Sequence, residues 1–153
     1  METKTTVTAG AVQKLREMTS AGVMDCRKAL IEANGDVDAA VKIIYEKGLA
    51  KVEKRADRET GAGLVESYVH NERIGVLLRL GAETDFVVRS EPFRALAHDL
   101  AMHIAAAAPK DVEELLAQPY IKDESRTIKD VIGEVIAKVG ENIAVGEFYR
   151  VEA

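Results

Sequence analysis

The sequence predicts an α+β fold: an N-terminal module of three helices, then a small antiparallel sheet of three strands packed with helices. Three observations carry this. Residues 8–48 hold three short runs of apolar residues at helical spacing, separated by Gly- and Asn-containing breaks. Leu64–Val69 and Ile74–Leu80 are β-branched and apolar runs around a polar His70-Asn71-Glu72-Arg73 turn. Phe93, Leu96, Ala97, Leu100, Ala101, Ile104 and Ala105 make one unbroken helical stripe.

The elements follow in order. Thr8 is a candidate N-cap before Val12 and Leu15, and Thr19-Ser20-Ala21-Gly22 breaks that helix. A second helix runs from Val23 to Ala33 and ends at Asn34-Gly35, where the chain needs positive φ. Asp36 caps a third, carrying Val37, Ala40, Val41 and Ile44, and Gly48 is expected to stop it. This gives a helical module over residues 1–50. Residues 51–60 follow as a charged, solvated linker, in which Lys51, Lys54, Arg55 and Arg58 are interleaved with Glu53, Asp57 and Glu59. Residues 61–153 form the α+β core. In the hairpin, Ile74, Val76, Leu78 and Leu80 share one face of the second strand. Leu77 on its other face, with apolar residues on both faces of the first strand, leaves the second face partly apolar. A half-solvated sheet alternates more cleanly, so a helix, another subunit or a partner is expected there. Ser90 caps the long helix, with Pro92 in its first turn, and Pro109 ends it. A short helix at 111–117, a break at Gln118-Pro119-Tyr120, a helix at 125–139 stopped by Gly140, and a strand from Ile143 to Val151 complete the chain.

Composition narrows the function. Hydrophobic residues are 47% and charged residues 31%, as in ordinary globular domains. The net charge of −5 gives no broad electrostatic reason to bind nucleic acid. Cys26 is the single cysteine, which excludes an internal disulfide and fits a reducing cytosol. No apolar run approaches the ~20 residues of a membrane span, and Met1-Glu2-Thr3-Lys4-Thr5 lacks the apolar stretch of a secretory signal. A cytoplasmic protein without membrane contact is expected.

Catalytic and metal motifs do not stand out. His98 and His103 are five residues apart and miss the i, i+4 pairing of a helical zinc site. His103 reads as a core or boundary histidine and Cys26 as a small packing residue. Neither a P-loop nor a G-x-G-x-x-G or G-x-S-x-G motif is present. No cofactor or metal is expected, and a binding or regulatory protein is favoured over an enzyme built on Asp85 with His98 or His103. The stretch that draws attention is Glu83-Thr84-Asp85-Phe86-Val87, between the second strand and the long helix. On pattern alone Phe86 reads as a core plug with Asp85 solvated beside it; the other reading is an aromatic probe presented to a partner.

Three separated motifs resemble a known family, the bacterial translation elongation factor Ts. They are Leu15-Arg16-Glu17-Met18-Thr19-Ser20-Ala21-Gly22-Val23-Met24-Asp25-Cys26-Arg27-Lys28-Ala29-Leu30 with Asn34-Gly35-Asp36, then Glu83-Thr84-Asp85-Phe86-Val87, then Lys138-Val139-Gly140-Glu141-Asn142-Ile143. The resemblance implies a guanine-nucleotide exchange factor for elongation factor Tu, binding its GDP-bound and nucleotide-free forms. It implies that residues 1–50 are a ubiquitin-associated-like module in which Arg16, Val23 and Met24 contact the GTPase. It also implies that Thr84, Asp85, Phe86 and Val87 dislocate the Mg²⁺ and phosphate site, with Phe86 as the wedge, so that GDP leaves and GTP enters. Val23 stands where methionine is common and Ser20 where glycine is. Arg79 and Gly81 replace a usual glutamate and asparagine. Only one β-β-α-α-β unit is present, which resembles the short, single-core type and implies a homodimer. The alternative is a ubiquitin-associated-like adaptor for an unrelated partner, which leaves the central and C-terminal motifs without a role.

Overall fold

The computed structural model describes residues 7–153; the reading of Met1–Thr5 lies outside them. The chain forms two compact units, Met1–Lys54 and Arg55–Ala153.

The first unit holds α1 (Ala9–Thr19), α2 (Val23–Glu32) and α3, which begins at Val37 and ends at Arg55. The Thr8 side chain accepts from the Ala11 N–H at 3.2 Å, and Asp36 Oδ1 accepts from the Ala39 N–H at 3.0 Å, so both expected caps form. Between α2 and α3 the chain takes positive φ at Asn34 and Gly35, and the Gly35 N–H donates to the Leu30 carbonyl at 2.8 Å. Leu15, Cys26, Ala29, Leu30 and Ala40 form the buried centre. Cys26 is the packing residue its setting suggested. The expected stop at Gly48 is not observed: α3 continues through it to Arg55 and takes in the first half of the stretch read as a linker. Glycine costs a helix only about 1 kcal/mol relative to alanine. Lys51, one turn past Gly48, pairs with Asp25 of α2 at 3.4 Å.

The second unit is an α+β layer. Its strands are β1 (Ala62–His70), β2 (Ile74–Ala82) and, after an excursion through helices, the last strand of the chain (Ile143–Glu152). They form an antiparallel sheet with β2 in the centre. The hairpin turn has positive φ at Asn71 and Glu72, the pair of left-handed residues that suits the twist of the strands. Gly63 faces Gly81 across the ladder. A Cβ on Gly63 would stand 2.8 Å from the Leu80 carbonyl oxygen, so this end of the hairpin closes only with glycine.

After β2 come α4 (Asp85–Val88), α5 (Glu91–Ala107), α6 (Val112–Ala117), a small hairpin of β3 (Pro119–Tyr120) and β4 (Asp123–Thr127), α7 (Ile128–Val139) and β5, the strand at Ile143–Glu152. Helix α5 lies on β1 and β2. Its Phe93, Leu96, Ala97, Leu100, Ala101 and Ile104 are buried, as are Val76, Leu78, Leu80 and Ala82 of β2. No element of this unit covers the opposite sheet face. Val65 and Val69 of β1, Leu77 of β2, and Tyr149 and Val151 of β5 are 51–70% exposed there. Register places Tyr149 beside Leu77, and Val69 and Val151 on either side of Gly75. The apolar second face expected from sequence is present, and no helix of this unit covers it.

Two local features differ from expectation. Ser90 sits at the N-cap of α5, yet its hydroxyl donates back to the Val87 carbonyl at 2.6 Å. Residues 125–127 belong to β4, and α7 begins after Thr127, whose capping box with Asp130 fixes the start. The β3–β4 hairpin is anchored on α5 by His103, which is fully buried. His103 Nε2 pairs with Gln118 Oε1 at 2.9 Å, and the Ile121 N–H donates to Nδ1 at 3.3 Å. Only the neutral ring with its proton on Nε2 satisfies both bonds. Burial pushes the His103 pKa below its ordinary 6.5, against a smaller opposing effect of the Gln118 bond.

The sign of the linkage follows from that shift. Between the lowered native pKa and 6.5 the unfolded chain binds more protons than the folded one, so stability is complete above 6.5 and falls as pH is lowered through the native value. Urea unfolding across pH 7.5 to 5, as an approximate working range, is expected to show this loss, with a shallower decline in His103→Gln. Equal slopes in the two proteins would remove His103 from the explanation.

Candidate functional site

The corner between β2 and α5 is built by a simple division of side chains. Eight residues separate Ala82 from Glu91, and they must turn the chain from the sheet onto the helix that covers it. Thr84 leaves the strand in an extended conformation and caps α4, its Oγ1 accepting from the Val87 N–H at 3.4 Å. In the single turn that follows, Val87 and Val88 point inward, Val87 with only 4% of its surface exposed. Phe86 then has no inward position left and is 84% exposed. The core-plug reading of Phe86 is overturned: two valines fill that place. Thr84 and Asp85 are exposed beside it.

The corner is tied to the turn that leads from α7 into β5. Gly140 ends α7 at φ +78°, a conformation that other residues reach only with strain. Glu141 and Asn142 follow, just beyond the last ladder pair, Ala82 with Ile143. Here backbone pairing gives way to carboxylates. The Thr84 N–H donates to Glu141 Oε2 at 3.0 Å, and the Thr84 hydroxyl donates to Glu141 Oε1 at 2.6 Å. In return the Asn142 N–H donates to Glu83 Oε1 at 2.8 Å. The buried Asn142 amide donates to the Arg58 carbonyl at 2.9 Å, and Arg58 lies 3.6 Å from Glu83. The central and C-terminal sequence motifs are thus two sides of one hydrogen-bonded corner. Residue pattern does not reveal the roles of Glu83, Glu141 and Asn142. The one available signal is that the two motifs flank strands that pair.

In the first unit, Arg16 lies in the last turn of α1 and Val23 and Met24 open α2, on the two sides of the Ser20–Gly22 corner. All three are exposed, and so is Met18, which sequence reasoning did not single out. Of the two histidines, His98 is exposed against Glu66 at 3.4 Å, while His103 is consumed by the hairpin contact. Among the described residues no group of three or more His, Cys, Asp or Glu is arranged to hold a metal ion, and no helix is long and apolar enough to cross a membrane.

An exposed aromatic and carboxylate on a fixed corner make a layout suited to contact with another macromolecule. Comparison with known proteins is specific. The family model described as Elongation factor TS matches residues 83–153, which begin at this corner. The protein named Elongation factor Ts of Fervidobacterium nodosum is 42% identical over 192 aligned positions, covering 95% of this chain and 98% of that protein. Those of Caldanaerobacter subterraneus subsp. tengcongensis and Thermotoga neapolitana are 40% and 41% identical, each over 95% of this chain and 96% of the relative. The chain belongs to the elongation factor Ts family, and so to the elongation factors of protein biosynthesis. The aligned span is wider than the 153 residues of the chain, so these relatives carry residues with no counterpart here.

Proposed function

We propose that the protein is a guanine-nucleotide exchange factor for elongation factor Tu, acting in the cytoplasm without covalent chemistry, cofactor or direct nucleic-acid contact. The observation that carries this is Phe86: a large aromatic, 84% exposed, on a corner braced from both sides in a chain of this family. A GTPase holds GDP through backbone N–H groups around the phosphates and a Mg²⁺ that offsets their charge. An exchange factor must bind the nucleotide-free form better than the GDP form, because only differential affinity moves the equilibrium. Phe86 supplies apolar contact in a pocket that opens when the Mg²⁺ and phosphate site is disturbed. Asp85 brings negative charge toward a site built for phosphate. Thr84 and Val87 hold those two in place, Val87 from inside the corner. Arg16, Val23 and Met24 give the helical module a second, independent contact on the same GTPase.

We further infer a homodimer formed through the open sheet face. Five large apolar side chains on one uncovered face, in contiguous register, form the kind of patch a monomer rarely exposes. A second copy offers a surface of the same chemistry, and an isologous pairing of the two closes the contact.

Two experiments test these readings. Release of a fluorescent GDP from elongation factor Tu is expected to accelerate when the protein is added. Phe86→Ala is expected to lose about thirtyfold of that effect while its unfolding free energy stays within about 0.5 kcal/mol of the parent. No acceleration by the parent would refute the exchange reading; unfolding of the variant would restore Phe86 to the core. In sedimentation at micromolar concentration the parent is expected to run as a dimer and Leu77→Lys as a folded monomer. A monomeric parent would refute the dimer.

A further inference from the structure

We propose that Glu141 is the positioning residue of the exchange surface: it does not touch the partner, and it sets the direction of Phe86 through Thr84. This rests on the exchange reading above. Phe86 is carried by the turn that joins β2 to α5. Its ring is exposed and finds no packing within its own unit that would fix it. Its position depends on the four-residue helix α4, which is too short to be stable alone. The C-terminal side of that turn is held by buried Val87 and Val88 and by the Ser90 hydroxyl on the Val87 carbonyl. The N-terminal side is held by Thr84, and Thr84 is held by Glu141.

The hydrogen bonds run in one direction. Glu141 takes both the Thr84 N–H and the Thr84 hydroxyl proton, one on each carboxylate oxygen. That fixes the hydroxyl rotor, so a lone pair of Oγ1 faces the Val87 N–H and starts α4. A neutral side chain cannot accept both donors in this way with the strength of a carboxylate. An aromatic that must enter a pocket loses conformational freedom on binding; holding the turn beforehand lowers that cost. Sheet integrity does not require this contact, because the Ala82–Ile143 pair and the Glu83–Asn142 bond close the ladder without it.

The test is a double-mutant cycle with an independent structural readout. Glu141→Ala is expected to slow GDP release from elongation factor Tu by about tenfold at saturating protein, the factor that loss of one hydrogen bond to a charged group carries. In a Phe86→Ala background the same change is expected to cost less than about twofold, since the residue it positions is gone. Thr84→Val removes the hydroxyl and is expected to reproduce the loss, while Thr84→Ser restores it. If Glu141→Ala does not fold, Thr84→Val and Thr84→Ser carry the same cycle. Equal losses with and without Phe86 would overturn the proposal, making Glu141 a general fold residue or a direct contact. In the free protein, hydrogen exchange at the Thr84 and Val87 amides is expected to quicken selectively in Glu141→Ala. Unchanged exchange there would overturn the clamp itself. A parent protein without effect on GDP release would overturn the exchange reading and Glu141's part in it, and the amide exchange would still decide whether the clamp exists.

Discussion

Helix α5 lying on one face of the β1–β2–β5 sheet is the contact from which the rest of the second unit follows. Phe93, Leu96, Leu100 and Ile104 meet a face made of Val76, Leu78, Leu80 and Ala82. Each large side chain removed from water there contributes about 1.5–3 kcal/mol. Once this layer forms, the chain must pass from the end of β2 to the start of α5 in a few residues. Two inward positions are available in that passage, and Val87 and Val88 occupy them. The exposure of Phe86 is therefore a consequence of packing next door. The same layer leaves the other sheet face with nothing from its own unit to cover it.

The first unit follows a different economy. Among its described residues the fully buried ones are few: Leu15, Cys26, Ala29, Leu30 and Ala40. A module of that size buries a smaller share of its surface than a larger domain does, and its caps and the Asn34-Gly35 turn help define its helices. Met18, Val23 and Met24 stand exposed at the α1–α2 corner, outside the buried centre of the unit. Both units place apolar side chains outward at a corner whose backbone is held by hydrogen bonds, which is how a surface stays adhesive without being loose.

Much of this was legible in the residues. Thr8, Asp36 and Gly140 mark helix ends by mechanisms local to the chain, and the structure places the ends where they point. The alternation in Ile74–Leu80 gave the inward face of β2 correctly. Gly48 was misleading because one glycine costs a helix only about 1 kcal/mol, and α3 runs through it to Arg55. The β3–β4 hairpin has too few residues for a period to show, and it is held by His103, which reaches it from α5, and by Arg126 of β4 lying over the Tyr120 ring of β3. Thr127-x-x-Asp130 was readable as a capping box and would have placed the start of α7. The candidate site was half legible. Its residues could be named, but burial statistics put Phe86 inside, and the grip of Glu141 on Thr84 spans 57 positions of sequence. Contacts of that separation follow from strand register, which no local pattern of side chains records.

The central claim is that Phe86 stabilises the complex with nucleotide-free elongation factor Tu and contributes little to the complex with the GDP form. Titration calorimetry of the parent and Phe86→Ala against both forms measures this directly. The parent is expected to bind the nucleotide-free form more tightly, and the substitution to weaken that complex by about thirtyfold with little change toward the GDP form. Equal weakening toward both forms would contradict it, because uniform binding shifts no equilibrium.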